Sequence, residues 1–350
     1  MPFRILFLLC VSVWSLQAAK DAPNVIYILA DDLGYGDLSH AGGKAATPHC
    51  DRLAREGVRF TDSHTTSSVC TPTRYGLLTG RYPWRGRMKW WVLFGAQGDP
   101  LIEADRPTIA TMLRDVGYST GIVGKWHLGL EDENHPLSRG FDFFHGFLGD
   151  MMDDYYKHRR HNINYMRKGR ETIKPEGHAT DLFSDWAVDY IRSRKGKKDP
   201  FCLFLSYNAP HTPIQPPEDW VKRVVDRQPG IDPRRARLVA LIEHMDDGIG
   251  QVMKTLSETG MAADTLVVFT SDNGGQLSVK ASNGPLRDGK QSMYEGGLKV
   301  PACAVWPEKI AAGSHSDRLA LTMDLFATIC ETAGVRIKHT IDGESILPTL

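Results

Sequence analysis

The stretch Asn24-Val25-Ile26-Tyr27-Ile28-Leu29-Ala30-Asp31-Asp32 decides how the chain reads. Its apolar residues run without polar alternation, which suits a strand buried on both faces. Two carboxylates follow at once. Residues 119–123, 201–207, 265–270 and 300–306 are further short apolar runs rich in β-branched and aromatic residues. Amphipathic segments lie between them. Leu182, Phe183, Trp186, Ala187, Tyr190 and Ile191 recur at helical spacing, and Leu238, Leu241, Ile242, Met245, Ile249, Val252 and Leu256 mark one face of a long helix. Residues 108–116 and 323–333 read as helices closed by Gly117 and Gly334, and Thr47-Pro48 as a helix start with Thr as its cap. This alternation predicts an α/β fold with a mostly parallel central sheet sandwiched by helices. In such sheets ligands sit beyond the carboxyl ends of strands. Four polar clusters fall there: Asp31-Asp32, residues 124–129, residues 208–213 and Asp272-Asn273.

Composition bounds the function. The chain has 350 residues, 42 Lys plus Arg against 42 Asp plus Glu, and 41% hydrophobic residues. That supports a sizeable core and excludes a disordered chain. A net charge of zero argues against a nucleic-acid partner. No internal apolar run approaches the roughly 20 residues of a membrane span. At the start, Arg4, an apolar run over 5–16 and Ala18-Ala19 form the pattern of a cleaved secretory signal over 1–19, predicting export to the periplasm or outside. Cys10 lies inside that signal. The remaining Cys50, Cys70, Cys202, Cys303 and Cys330 are widely spaced with no C-x-x-C pair, so a zinc knuckle is not expected. Cys202 and Cys303 sit in strand-like runs as inert core thiols.

Asp31, Asp32, Asp272 and Asn273 offer hard oxygen ligands, suited to Ca²⁺ or Mg²⁺. Either pair alone also reads as solvated loop charge or a helix cap. Two such pairs on one rim would favour a bound cation, because adjacent carboxylates repel. Asp246-Asp247 lies on the long amphipathic helix, as an exposed face or a structural hydrogen bond. His49 and His64 carry no assignment. Arg85, Arg87, Lys89, Trp90 and Trp91 read equally as a ligand grip working by charge and ring stacking or as a packed surface loop. Residues 151–170, crowded with Tyr, His, Arg and Met, read as a surface excursion.

Cys70-Thr71-Pro72-Thr73-Arg74, followed by Leu77-Leu78-Thr79-Gly80-Arg81, resembles the signature of formylglycine-dependent sulfatases of the alkaline-phosphatase-like superfamily. In that family the Cys is oxidised to formylglycine, the catalytic group. The likeness extends through residues 24–37 (NVIYILADDLGYGD), 124–129 (GKWHLG), 208–213 (NAPHTP), 270–275 (TSDNGG) and 283–301, which holds Lys290. It implies a sulfuric ester hydrolase acting on a sulfated small molecule or glycan. It also implies Ca²⁺ in preference to Mg²⁺ at Asp31, Asp32, Cys70, Asp272 and Asn273, and a formylglycine-generating enzyme as maturation partner. Cys70 would supply the nucleophile, and Asp272 would take a proton from its hydroxyl. Arg74 would hold the second hydroxyl, His127 would act as the base of the release step, and His211 as the acid on the leaving oxygen. Lys125 and Lys290 would clamp the sulfate. Two alternatives remain at this point. One is a phosphonate or phosphate ester hydrolase of the same superfamily, whose members place Asp-His where this chain has Asp272-Asn273. The other is a non-catalytic module binding sulfated glycans. The resemblance covers residues 24–350, read as the catalytic domain of 20–350. The closing residues 342–350 look like the segment leading into a smaller antiparallel C-terminal subdomain, which is expected to be largely absent.

Overall fold

The computed structural model describes residues 22–87, 91–95, 101–130 and 132–350. The leader-like segment, Lys89 and Trp90 lie outside them. The strands of the main sheet are β1 (Asn24–Ala30), β2 (Val58–Phe60), β3 (Ser119–Lys125), β4 (Phe143–Phe147), β5 (Met166–Lys168), β6 (Glu171–Thr172), β7 (Phe201–Ser206), β8 (Thr265–Ser271), β9 (Ala302–Val305) and β10 (Ser314–Ser316). They form one ten-stranded sheet in the order β10-β2-β9-β8-β1-β7-β3-β4-β5-β6. The middle run, β8-β1-β7-β3-β4, is entirely parallel. Both flanks turn antiparallel, through β8–β9 and β9–β2 on one side and β4–β5 and β5–β6 on the other. The sheet is therefore parallel through its middle, with antiparallel pairs on both flanks and a last parallel pair, β10–β2, at one edge.

Helices cover both faces. Here α1 is Pro48–Glu56, α2 Cys70–Thr79, α3 Ile109–Arg114, α4 Ala179–Arg194, α5 Glu218–Arg227, α6 Pro233–Thr259 and α7 Asp324–Thr332. Helix α6 packs on α1, α4 and α5 to make one layer, and α2, α3 and α7 pack together as the other. Between them Val25, Ile26, Tyr27 and Ile28 of β1 are fully buried, as are Leu203 and Leu205 of β7 and Leu266 of β8. Each such aliphatic side chain contributes about 1.5–3 kcal/mol. Cys202 and Cys303 are buried free thiols in this core, and the other three described cysteines are free and buried too.

The register levels the carboxyl ends of the parallel strands. Leu29 pairs with Ser206 and with Thr270, Ala30 with Ser271, and Ser206 with Gly124. Asp31, Asp272, Tyr207 and Lys125 thus leave the sheet at one height.

Two local readings need correction, and a third is resolved. Thr47 does begin α1, but its hydroxyl donates to Asp51 and bonds Ser39 without capping the helix backbone. The cap comes from Asp246, buried on α6, whose carboxylate accepts the backbone N–H of His49 (3.0 Å) and of Cys50 (2.7 Å). Of that pair, Asp246 is the structural hydrogen bond and Asp247 the exposed face. Residues 151–170 are no mere excursion. Met152, Tyr155, Tyr165 and Met166 are buried, and Met166–Lys168 extends the sheet.

Asp246→Ala should lower stability by about 1–3 kcal/mol, since two buried N–H groups lose their acceptor. Urea unfolding followed by circular dichroism measures it. A loss below about 0.5 kcal/mol would mean that water replaces the cap.

Candidate active site

Carboxylates leave the rim first. Asp31 and Asp32 follow β1, and Asp272 and Asn273 follow β8; all four are at most 3% exposed. Asp32 holds φ 67°, a left-handed conformation that a short polar side chain tolerates at modest cost. Its backbone N–H donates to Asp272 Oδ1 (3.2 Å), and Asn273 Nδ2 donates to Asp32 Oδ1 (2.7 Å). Each carboxylate is hydrogen-bonded by one cation. The ammonium of Lys125, at the end of β3, bonds Asp31. Lys290 Nζ donates to Asp32 Oδ2 (2.8 Å), and Arg74 Nη2 to Asp272 Oδ2 (2.8 Å). Burial would raise the Asp32 carboxyl, but Lys290 and His211 hold it below the usual range. Burial and the Asp31 charge push Asp272 up to about 7, against the pull of Arg74.

Cys70 opens α2 and is 2% exposed. Burial pushes its thiol up to about 12, so as a bare thiol it stays protonated and a poor nucleophile at neutral pH. Ligand atoms of Asp31, Asp32, Cys70 and His211 all lie within 4.8 Å of one another. Arg74, one turn on, donates to Ser206 Oγ (2.6 Å) and the Lys125 carbonyl (3.2 Å) as well as to Asp272. Its guanidinium is therefore fixed between three strand ends.

The two histidines differ in tautomer. His127, with φ 59°, has Nε2 at 2.7 Å from the Leu93 carbonyl and 2.9 Å from the Thr71 hydroxyl. A carbonyl only accepts, so Nε2 carries the proton and the buried Nδ1 lone pair is left without a partner. Burial and the Lys125 charge hold this imidazole neutral. His211 donates from Nδ1 to the Thr212 carbonyl (2.8 Å) and accepts at Nε2 from Lys290 Nζ (3.0 Å). Burial lowers it to about 4.

Cys70, His127, His211 and Lys290 line a cleft of about 190 Å³ with Trp91, Phe94, Asp150 and Arg160. The four sequence clusters and the Cys70 run thus meet at one place. Arg85 does not line it; its guanidinium bonds Asp342. His49 packs against Gly250, and His64 pairs with Glu295, both away from the cleft lining.

A sequence model of the Sulfatase family matches residues 23–335. The chain belongs to the sulfatase family. These enzymes are sulfuric ester hydrolases of the alkaline-phosphatase-like superfamily. Mouse N-acetylgalactosamine-6-sulfatase is 33% identical, aligning 98% of this chain with 69% of its own length. For the rat enzyme the figures are 34%, 95% and 66%, so this sulfatase chain spans about two thirds of those relatives. Human steryl-sulfatase is 30% identical over all of this chain and 74% of its own. The solved structure of Ps i-CgsB superposes with a TM-score of 0.87 at 33% identity, covering 94% of this chain and 76% of that one.

The sulfatase site includes residues the sequence reading left unassigned. Thr71, at a variable position of the signature, orients His127 and accepts the Leu93 N–H (3.1 Å). Ser206 is simply the last residue of β7. Asp37 accepts from the backbone N–H of Gly34 (3.0 Å) and Ser282 (3.0 Å) and pairs with Arg235, clamping the loop after Asp32 to the loop before Lys290. The NVIYILADDLGYGD motif contained Asp37, but nothing in the sequence marked its partners Ser282 and Arg235.

Thr71→Val should lower kcat on an aryl sulfate about tenfold with little change in KM, and His127→Ala about 10²–10⁴-fold. Steady-state kinetics checks both. Equal loss of kcat and of thermal stability in Thr71→Val would reduce Thr71 to a packing residue.

Proposed function

We propose that the protein hydrolyses sulfate monoesters, of carbohydrates ahead of aryl alcohols, through a formylglycine made from Cys70, aided by Ca²⁺. The observation that carries this is the convergence of Cys70, opening α2, with three buried carboxylates, three cations and two histidines on one rim. The overall change is water plus ester giving alcohol and hydrogen sulfate.

The residues present fit a hard cation. Asp31 Oδ1 and Asn273 Oδ1 are buried oxygens that accept no hydrogen bond, and Arg74 is 3.8 Å from the former. Such orphaned acceptors cost about 1–3 kcal/mol each and suit a hard-ion ligand shell. Asp31, Asp32, Asp272 and Asn273 would hold the ion, beside residue 70. When bound, it supplies Lewis acidity toward a sulfate oxygen and the attacking hydroxyl. Hydrated formylglycine supplies a nucleophilic hydroxyl and a second one whose deprotonation releases sulfate.

The chain's own groups do the rest. Lys125 and Lys290 neutralise charge on the non-bridging oxygens, where it grows toward the transition state. Arg74 is immobilised by Asp272 and Ser206 and steadies residue 70 from one turn below. His127 takes a proton at Nδ1, its unshared lone pair. His211 and Lys290 together offer an N–H to the leaving oxygen. An anionic ester beside His211 raises its proton affinity from the low value set by burial. Export of the chain, on the pattern of residues 4–19, belongs to the same proposal.

Cys70→Ala should cut aryl sulfate turnover about 10⁴-fold or more, and mass spectrometry of the residue-70 peptide should find an aldehyde in enzyme matured with a formylglycine-generating partner. Wild-type rate in that variant, or faster turnover of an aryl phosphonate than of the sulfate, sinks the proposal. Chelation should lower both activity and Tm, with Ca²⁺ restoring both better than Mg²⁺ at equal concentration. Full activity and an unchanged Tm after exhaustive chelation would exclude the ion.

A further inference from the structure

The cleft has two unlike ends. At its floor stand Cys70, His127, His211 and Lys290. Its outer wall joins an exposed ring, Trp91 (41% exposed), to a side-chain pair that nothing in the sulfate chemistry uses, Asp150 and Arg160. Arg160 Nε lies 3.1 Å from Asp150 Oδ1 and Nη2 lies 3.3 Å from Oδ2, a two-pronged contact. Its Nη1 donates to Asp153 Oδ1 (2.8 Å). The pair is largely buried, with side-chain exposures of 14% and 8%. The segment that carries the pair is tied to the His211 loop through Tyr155. The Tyr155 hydroxyl lies 2.8 Å from the Asn208 carbonyl and 2.9 Å from that of His211.

Ion pairing uses three of the five guanidinium N–H groups. Two donors remain, and each Asp150 oxygen keeps a free lone pair. Donors and acceptors held side by side in fixed geometry match neighbouring hydroxyl groups, each of which both gives and takes a hydrogen bond. Two carboxylates more than offset the single guanidinium charge, so the wall does not attract a second anion. A ring face fits over the exposed indole. A flat aryl or sterol group would leave the polar pair desolvated and unanswered, which is costly.

We propose that Asp150 and Arg160 form a fixed fork that reads adjacent uncharged hydroxyls of the sugar ring bearing the scissile sulfate, with Trp91 as its stacking face. This rests on the sulfatase reading above and names the substrate end it leaves open. Both residues are specificity determinants and touch no reacting atom.

The test compares kcat/KM for monosulfated hexoses and for an aryl sulfate in matured wild type, Arg160→Gln, Arg160→Lys and Trp91→Ala. The sugar-to-aryl ratio should fall about 10–100-fold in Arg160→Gln. Arg160→Lys should recover little of it, because an ammonium cannot present a planar fork. Trp91 is exposed, so Trp91→Ala tests the same wall without threatening the fold, and should lower the ratio about 5–10-fold through KM. Ratios within about twofold of wild type in all three variants overturn the fork. So does a wild type that turns over aryl sulfate and none of the sugars, an outcome that leaves the sulfatase reading standing. Faster turnover of a sugar carrying a second sulfate on the neighbouring carbon overturns the assignment of an uncharged partner.

Discussion

Three carboxylates buried on one rim set the terms for the rest of the molecule. Asp31, Asp32 and Asp272 are close enough that burial alone would force protons onto some of them. The chain answers each with one cation, and the cations come from separate places: Lys125 from a strand end, Arg74 from α2, Lys290 from the loop after Asn283. Removing one member of such a buried pair costs about 3–5 kcal/mol. The rim therefore cannot close until β1, β3, β8, α2 and that loop are all docked. A well-packed apolar cluster would serve stability as well or better. Its retention as charge makes sense for a site that must receive an anion. Balanced one to one, the rim is neutral; a divalent ion would leave it net positive for an incoming sulfate.

Position matters as much as charge, and α2 supplies it. Residue 70 is its first residue, and Val69 before it provides no side-chain cap. The opening N–H groups and the positive end of the helix dipole are thus left to the cleft, a setting that favours anions. The far end is pinned. Gly80, at φ 66°, ends the helix, and its carbonyl accepts the N–H of Asp342 (2.8 Å) and Gly343 (3.0 Å). Asp342 in turn takes the Tyr82 N–H and the Arg85 guanidinium. Residues 342–343 therefore anchor the helix that carries Cys70, though the two are far apart in sequence.

What could be read from sequence follows from where the information is local. The strands β1, β7 and β8 were legible because burial on both faces demands an unbroken apolar run. The residues just beyond them were legible because parallel strands put their ends together. Asp31, Asp32, Lys125, His127, His211, Asp272 and Asn273 meet on the rim for that reason, whereas Cys70 and Arg74 on α2 and Lys290 in its loop were legible only through the signature they match. The margins were not legible. β5 and β6 are short, polar and antiparallel, and their pairing is set by a hairpin that no periodicity announces. Asp37 and Thr71 were also hidden. Each acts by hydrogen bonds to backbone or ring atoms distant in sequence, so its role appears only once those atoms are in place. Asp246 shows the same limit: a carboxylate on a helix gave no sign that it caps another helix.

The cleft separates two kinds of recognition that a sulfate ester presents at once. Its floor deals in net charge, with ammonium groups and a cation-ready carboxylate set that would bind any sulfate alike. Charge at that end gives rate but little discrimination, because every ester offers the same group. On the proposed reading, discrimination comes from the wall beyond it, where Asp150 and Asp153 together outweigh the Arg160 charge. A wall that kept a bare guanidinium would compete with the floor for the sulfate and bind the ester in reverse. Cancelling its charge while keeping its donors removes that competition. On the proposed reading, the pairing of Arg160 with two carboxylates would let one small cleft hold a sulfate at only one end.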